Sequence, residues 1–361
     1  MLELMLALIP LLPLLASVWI AISFLFFQNR GESGEEKTAR VILIATSLSL
    51  LLVVIIDMVT LLQGTIGSVV LGQWLATGDY VILLSFFIDP LSLVMMNLIA
   101  VLGVLMTYFS VPYIHREAGF QRFFMVLALL IFAMQVIVMA GNLVLVFVGW
   151  EFAGVSSYLL ISYRWERNIA TDNALRAFVT NRVGDAGFIF AFIISFFVIN
   201  TTEWQTLLST AENMIMDKSV PNLYFVLIPA SLMLAALIKS AQFPFSAWIT
   251  RALEGPTSSS AIFYGALMVH AGIYLLIRIE PLISIVGVLQ GLLIVLGLAS
   301  MIYGYLCGLV QTDVKTAFIF SVIAQIGLML LEIALGFTTL ALAHLVIHAI
   351  WRSYQFLHAP S

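Results

Sequence analysis

Charge is what this chain has least of. Only 9% of its 361 residues are Asp, Glu, Lys or Arg, against about a quarter in an ordinary soluble domain, while 62% are hydrophobic. Charged helix faces and polar linkers are nearly absent, which excludes a soluble core and points to an integral membrane protein. The net charge of −4 is small and dispersed, so no basic surface for nucleic acid is present. A single cysteine, Cys307, excludes an internal disulfide, an iron–sulfur cluster and a cysteine-rich zinc site; it reads as a small packing residue. No nucleotide-binding glycine fingerprint and no haem-ligand pattern occur, so no cofactor is expected and a redox enzyme is disfavoured. Low-complexity tracts and a soluble domain are also missing, so chemistry needing a large watery site would fall to a partner. No small-residue cleavage site follows the first apolar stretch, which is expected to stay as a helix.

Long apolar runs are what the chain has instead. They fall near 4 to 27, 41 to 63, 82 to 110, 123 to 140, 142 to 163, 181 to 200, 223 to 243, 257 to 278, 282 to 308, 314 to 336 and 338 to 357. Each is long enough to span a bilayer, which predicts an all-α polytopic membrane protein of about eleven transmembrane helices. With the amino terminus outside, eleven Lys and Arg, running from Arg30 through Arg116, Arg176 and Arg182 to Lys315, fall on cytoplasmic loops and only Lys218 and Arg278 outside. The carboxyl terminus is then cytoplasmic. Lys239 and Arg352 remain assigned to no loop and are expected within the membrane. The moderately polar stretch Asn168 to Val179 predicts a short cytoplasmic surface helix, and Gly64 to Gly78 an external loop or hairpin. The whole chain, 1–361, reads as one transmembrane domain, with amino-terminal helices and the external loop in 1–80 and the functional core in 80–361.

The few charges inside these runs form a series. Lys239 stands near the end of an apolar stretch just before Phe243-Pro244-Phe245; Glu151, Asp185, His270, Lys315, Glu332, His344, His348 and Arg352 lie in comparable surroundings. A charge at the centre of a span costs roughly 2.5 to 3.5 kcal/mol even on the lenient insertion scale, so such residues are paired or used. Glu151 lies about halfway along the fifth span. Placed within about 4 Å of Lys239, it would attract the ammonium by on the order of 4 kcal/mol at an effective dielectric near 20. Separating the two would let Lys239 give up its proton, so such a pair is a proton gate. A structural carboxylate bonded to a neighbouring helix is the plainer reading of Glu151.

Pro244 removes a backbone donor and predicts an interruption of the seventh span near Lys239. Freed carbonyls at membrane depth are tolerated only inside protein or beside a hydrated cavity; a packing kink is the alternative. His344, His348 and Arg352 recur every four residues on one helical face. No third ligand completes a zinc pattern there, so no metal is assigned. A proton relay suits the histidines better, with Arg352 setting the local field. His115 and His358 read as interface residues, and Asp57 stands in the second span without an assignable partner.

Several ordered stretches carry a family resemblance: Gly149-Trp150-Glu151, Tyr163 to Arg167, Ala177 to Asp185, Lys239 to Pro244, Glu254 to Thr257, Gln311 to Lys315, and His344 to His348. From about residue 80 onward the chain resembles the antiporter-like membrane subunits shared by respiratory complex I and the multi-subunit sodium/proton antiporters, closest to the subunit L branch. The resemblance implies that Glu151 and Lys239 form a switching pair, that Lys315 and the histidines continue a polar axis, and that Asp185 with Arg182 couples to a neighbouring unit. It also implies interrupted helices and antiporter-like partner subunits in a bacterial inner membrane. Three departures stand out. Tyr264 occupies a usual histidine position while His270 stands where small residues are common; Arg352 replaces a lysine; and the sequence stops before the later helix carrying the family's exit lysine, which implies a different outlet or an incomplete pumping stroke. The short form ending after Trp351 to Leu357 is similar to the membrane subunit of Dab-type inorganic carbon accumulation systems, which implies a soluble zinc-binding, carbonic anhydrase-like partner. A scaffold whose polar residues merely lock helices together is the reading from another class.

Overall fold

Backbone groups in a bilayer must be satisfied within the chain, and helices do this most directly. The computed structural model describes residues 2–28, 31–78, 80–217 and 222–359; Arg30 and Lys218, used in the charge count, lie outside them. Helices α1 (Leu2–Leu25) and α2 (Gly31–Gln63) lead into an antiparallel hairpin of β1 (Gly67–Thr77) and β2 (Tyr80–Ile88). Then follow α3 (Pro90–Tyr113), α4 (Phe120–Met139), α5 (Leu143–Ile161), α6 (Asn168–Ile199), α7 (Trp204–Met216) and α8 (Leu223–Lys239). A 3-10 turn at Ser246–Arg251 precedes α9 (Thr257–Ser260), a π-helical turn at Ala261–Ala266, and α10 (Met268–Ser284). The chain closes with α11 (Gly287–Leu309), α12 (Val314–Ala334) and α13 (Thr338–His358).

Among the described residues nine helices are long and apolar enough to cross a membrane: α1 to α6, the composite Thr257–Ser284, α11 and α12. The shorter α8 and the more polar α13 occupy the two other expected positions. The protein is therefore an all-α polytopic membrane protein with interrupted helices. Its centre is the composite Thr257–Ser284, whose most apolar window is 94% buried; α11, at 22%, lies on the outside.

Capping residues set many of the starts. Asp89, Asn142, Asn222 and Asp313 each accept a backbone N–H from three residues on, at the heads of α3, α5, α8 and α12. Pro90 at the first helical position reinforces Asp89. Those two residues also explain a correction: the third span begins at Pro90, not near residue 82, because Tyr80–Ile88 pairs with β1. The stretch 64–78 accordingly supplies the first strand of a hairpin whose second strand is Tyr80–Ile88. A second correction concerns Asn168 to Val179, which is the first part of α6 and no separate surface helix. Neither Gly nor Pro interrupts 168–183, and Ala170, Ala174 and Ala177 are buried, so the helix runs on. The amphipathic α7 was not anticipated; Trp204, Leu207 and Ala211 form its buried face.

The interruption after α8 has a clear local cause. The N–H of Gln242 bonds the carbonyl of Leu237 at 2.9 Å and that of Ala241 bonds Ile238 at 3.0 Å, with Ala241 at φ 53°. This is a Schellman closure, and Pro244 two residues on cannot extend the ladder. Trp248 Nε1 donates to the Ile238 carbonyl at 3.0 Å and braces the end. Lys239 is thereby held at the last turn of a helix that stops inside protein.

Candidate functional site

Small residues bring α5, α6 and α8 close enough for their charges to meet. A Cβ on Gly149 would lie 2.8 Å from the Ala133 carbonyl, so only glycine lets α5 press on α4 beside Trp150. Gly184 and Gly187 bring α6 against Ile238 and Ser231 of α8. Within this packing Glu151 of α5 forms an ion pair with Arg182 of α6, and Arg182 Nη2 lies 2.9 Å from Asp185 Oδ2. Asp185 is 3% exposed, so this ion pair is its main electrostatic compensation on α6.

Lys239, 1% exposed, completes the cluster from α8. Its Nζ donates to the Trp150 carbonyl at 3.1 Å and lies 5.1 Å from the Trp150 ring centroid, a cation–π distance. No ion pair within 4 Å joins Lys239 to Glu151: the direct contact weighed from the sequence is replaced by Arg182 on the acid and Trp150 on the amine. Both cations nonetheless converge on one point of α5. A Cβ on Gly154 would lie 3.1 Å from Arg182 Nη2 and 3.6 Å from Lys239 Nζ.

A hydroxyl links this cluster to the next. Ser240, adjoining Lys239, donates to the Val269 carbonyl at 2.7 Å, and Val269 adjoins His270. His270 Nε2 and His348 Nδ1 share a hydrogen bond of 2.9 Å, both side chains buried. Arg352 Nε donates to His348 Nε2 at 3.4 Å, while its other nitrogens reach Gln355 at 2.8 Å and Ser321. His344 branches off one turn earlier, between Glu332 at 3.0 Å and Gln325 at 3.0 Å. Lys315 stands apart: its Nζ donates to Thr257 Oγ1 at 2.9 Å, which also accepts from Tyr113 at 2.9 Å. Tyr264 is buried and donates to the Ala252 carbonyl at 2.5 Å. Among the described residues no group of three or more His, Cys, Asp or Glu could hold a metal ion.

Two polar features escaped the sequence reading. Arg278, counted as an external cation, is 3% exposed and pairs with Asp89, with Ser92 Oγ at 2.8 Å and the Tyr274 hydroxyl at 3.1 Å. Burial pushes the Asp89 carboxyl up, but the hydrogen bond and charge of Arg278 with the Ser92 N–H hold it below the ordinary carboxylate range. Glu203 accepts from Ser85 at 2.8 Å and Asn142 at 3.0 Å, tying the hairpin to the head of α5; burial raises its carboxyl. The four-residue spacing of Tyr274 and Arg278 was the one available hint of the first. Nothing local pointed to the second.

Comparison with known proteins places this geometry. The family model described as NADH:quinone oxidoreductase/Mrp antiporter, TM, matches residues 140–361, and that of the NADH-ubiquinone oxidoreductase (complex I) chain 5 N-terminus matches residues 74–124. NAD(P)H-quinone oxidoreductase subunit 5 of the Paulinella chromatophora organellar chromatophore is 31% identical over 356 residues, covering 98% of this chain and 53% of the relative. The chloroplastic subunit 5 of Ceratophyllum demersum is 32% identical, covering 98% and 48%. The chain thus spans about half the length of these relatives. Among solved structures, a chain of the Mrp complex from Dietzia sp. DQ12-45-1b superposes with TM-score 0.81 at 24% identity, covering 98% of this chain and 37% of that one. A chain of the membrane-bound sulfane sulfur reductase, an archaeal respiratory membrane complex, gives 0.82 at 22%, covering 97% and 69%. At these identities the likeness is one of fold.

Proposed function

Because the chain belongs to the NADH:quinone oxidoreductase/Mrp antiporter transmembrane family, we propose that it carries protons through the membrane as one subunit of a larger membrane assembly. The observation that supports this most is a line of polar groups that starts at the half-buried Glu151 and Arg182 and continues through the buried Asp185, Lys239, Ser240, the Val269 carbonyl, His270, His348 and Arg352. Lys239 is the switching group. It is held by a carbonyl and an aromatic face while both carboxylates are engaged by Arg182, so a shift of Arg182 toward or away from Asp185 changes the field on the ammonium. The histidines pass the proton on, since each ring nitrogen can donate or accept. Glu332 with His344 is a side station one turn before His348, and Lys315 with Thr257 stands apart from the line.

The partners supported by the relatives are other membrane subunits, since those relatives are named as subunits of quinone oxidoreductases and the structural neighbours belong to the Mrp complex and to an archaeal respiratory membrane complex. The carbonic anhydrase-like partner and inorganic carbon uptake rest only on Trp351 to Leu357 and gain no support from those relatives. The distribution of Lys and Arg supports an amino terminus outside, and the assignment to a bacterial inner membrane rests on the family resemblance alone.

The test is proton uptake by proteoliposomes holding the co-purified assembly. Lys239→Ala is expected to insert and assemble normally yet lose at least about tenfold in flux, the scale of a positioned proton-transfer group. Flux equal to wild type would remove the mechanism.

A further inference from the structure

Asp57 lies away from this line. It sits in α2 six residues before the helix ends at Gln63, about 9 Å along its axis. Asn97 of α3 donates to its Oδ1 at 3.0 Å and to the Leu93 carbonyl at 3.0 Å. Among the described residues Asn97 is the one polar partner of Asp57, and no cation lies within 4 Å of it. The pair opens into a cavity of about 460 Å³ whose remaining walls are apolar, with Val94, Leu98 and Val101 from α3 and Val346 and Ile350 from α13. Val94, Val101 and Ile350 are 38%, 41% and 52% exposed, so the furrow lies on the outer surface of the chain. Its walls recur every three to four residues along α3 and four apart on α13, the spacing of a groove that accepts the ridge of another helix.

We infer that this furrow seats one transmembrane helix of a partner membrane subunit, and that the helix presents a Lys or Arg at the depth of Asp57. Charge complementarity decides the occupant. A carboxylate turned outward at this depth needs a cation, and Asn97 orients one oxygen while leaving the other to receive it. A lipid tail fills the apolar walls but supplies no donor, and a lipid headgroup lies nearer the membrane surface. A second copy of this chain fits less well: Lys239, Arg278 and Arg352 are buried, Arg182 is held by two carboxylates, and the exposed Arg176 stands in the polar first part of α6.

The inference rests on the membrane-partner reading above but is tested separately from ion flux. A benzophenone amino acid in place of Val94, and in another variant Ile350, is irradiated in the assembled complex and its adducts are identified by mass spectrometry. The expected adduct is a membrane segment of another subunit that contains Lys or Arg. Asp57→Lys then lowers recovery of that subunit by at least about tenfold, as expected for a desolvated charge facing a like charge, and exchanging the partner's cation for Asp restores it. Adducts confined to lipid, to a second copy, or to a segment without Lys or Arg overturn the inference, as does unchanged recovery with Asp57→Lys. Lys239→Ala keeps the adduct and loses flux, so failure of one proposal is distinguishable from failure of the other.

Discussion

Arg278 illustrates how a single side chain is read differently by sequence and by packing. A basic residue near the end of a span counts as a loop charge, yet Arg278 is folded back onto Asp89, Ser92 and Tyr274. Removing it leaves Asp89 without its counter-charge, so Arg278→Met is expected to lower stability by about 3 kcal/mol, read as a drop in the detergent-solubilised melting midpoint; an unshifted midpoint contradicts the assignment. The same pair sets an acid response. The Asp89 carboxyl is held below its unfolded value, so its contribution is complete above the ordinary carboxylate range and fades as pH falls through the lowered value. Asp89→Asn should therefore flatten the loss of stability on acidification, and an unchanged pH slope would argue against it. Glu151, Asp185, Lys239, His270, His348 and Arg352 were legible because each is a polar residue in an apolar run. Their pairings were not, since which carboxylate Arg182 meets depends on how closely two helices approach.

That approach is a property of helices and their glycines. Gly154 sits where Arg182 and Lys239 converge, 3.1 and 3.6 Å from a built Cβ. Gly154→Ala is expected to keep most proton flux, because two long flexible side chains yield by a few tenths of an ångström. Gly154→Val should displace both and reduce flux several-fold, since overpacking forces neighbouring side chains from their places. Equal flux from the two variants would show that the convergence has no functional weight. At this scale the sequence was informative about length and poor about continuity. Apolar length placed α4, α5 and α11 closely. It could not tell that Tyr80–Ile88 is strand, because a short apolar run has no distinguishing period, and the polar Asn168 to Val179 looked detachable from α6 although its alanines are buried.

Across the whole molecule, burial is graded: the composite Thr257–Ser284 fills the centre and α11 stands outside. The polar line crosses that gradient, running from the less covered α6 through α5 and α8 to the central α10 and on to α13. The number of spans and the presence of a charged spine were readable from composition, because hydrocarbon thickness sets the one and the rarity of intramembrane charge the other. The order of contacts along the spine was not, since it arises from packing between distant segments. Two elements pass beyond this frame, α2 over 33 residues and α6 over 32, and α6 is the one that carries charges of the polar line. Unbroken over 32 residues, α6 is about 48 Å long, against roughly 30 Å of hydrocarbon. Ala174→Pro, about two turns before Arg182, is expected to break it and lower flux by at least about fivefold while Lys239 stays in place; undiminished flux would show that the two halves act independently. A helix longer than the hydrocarbon is thick, with Arg182 and Asp185 near its middle, ties the setting of those charges to whatever surrounds its polar first turns.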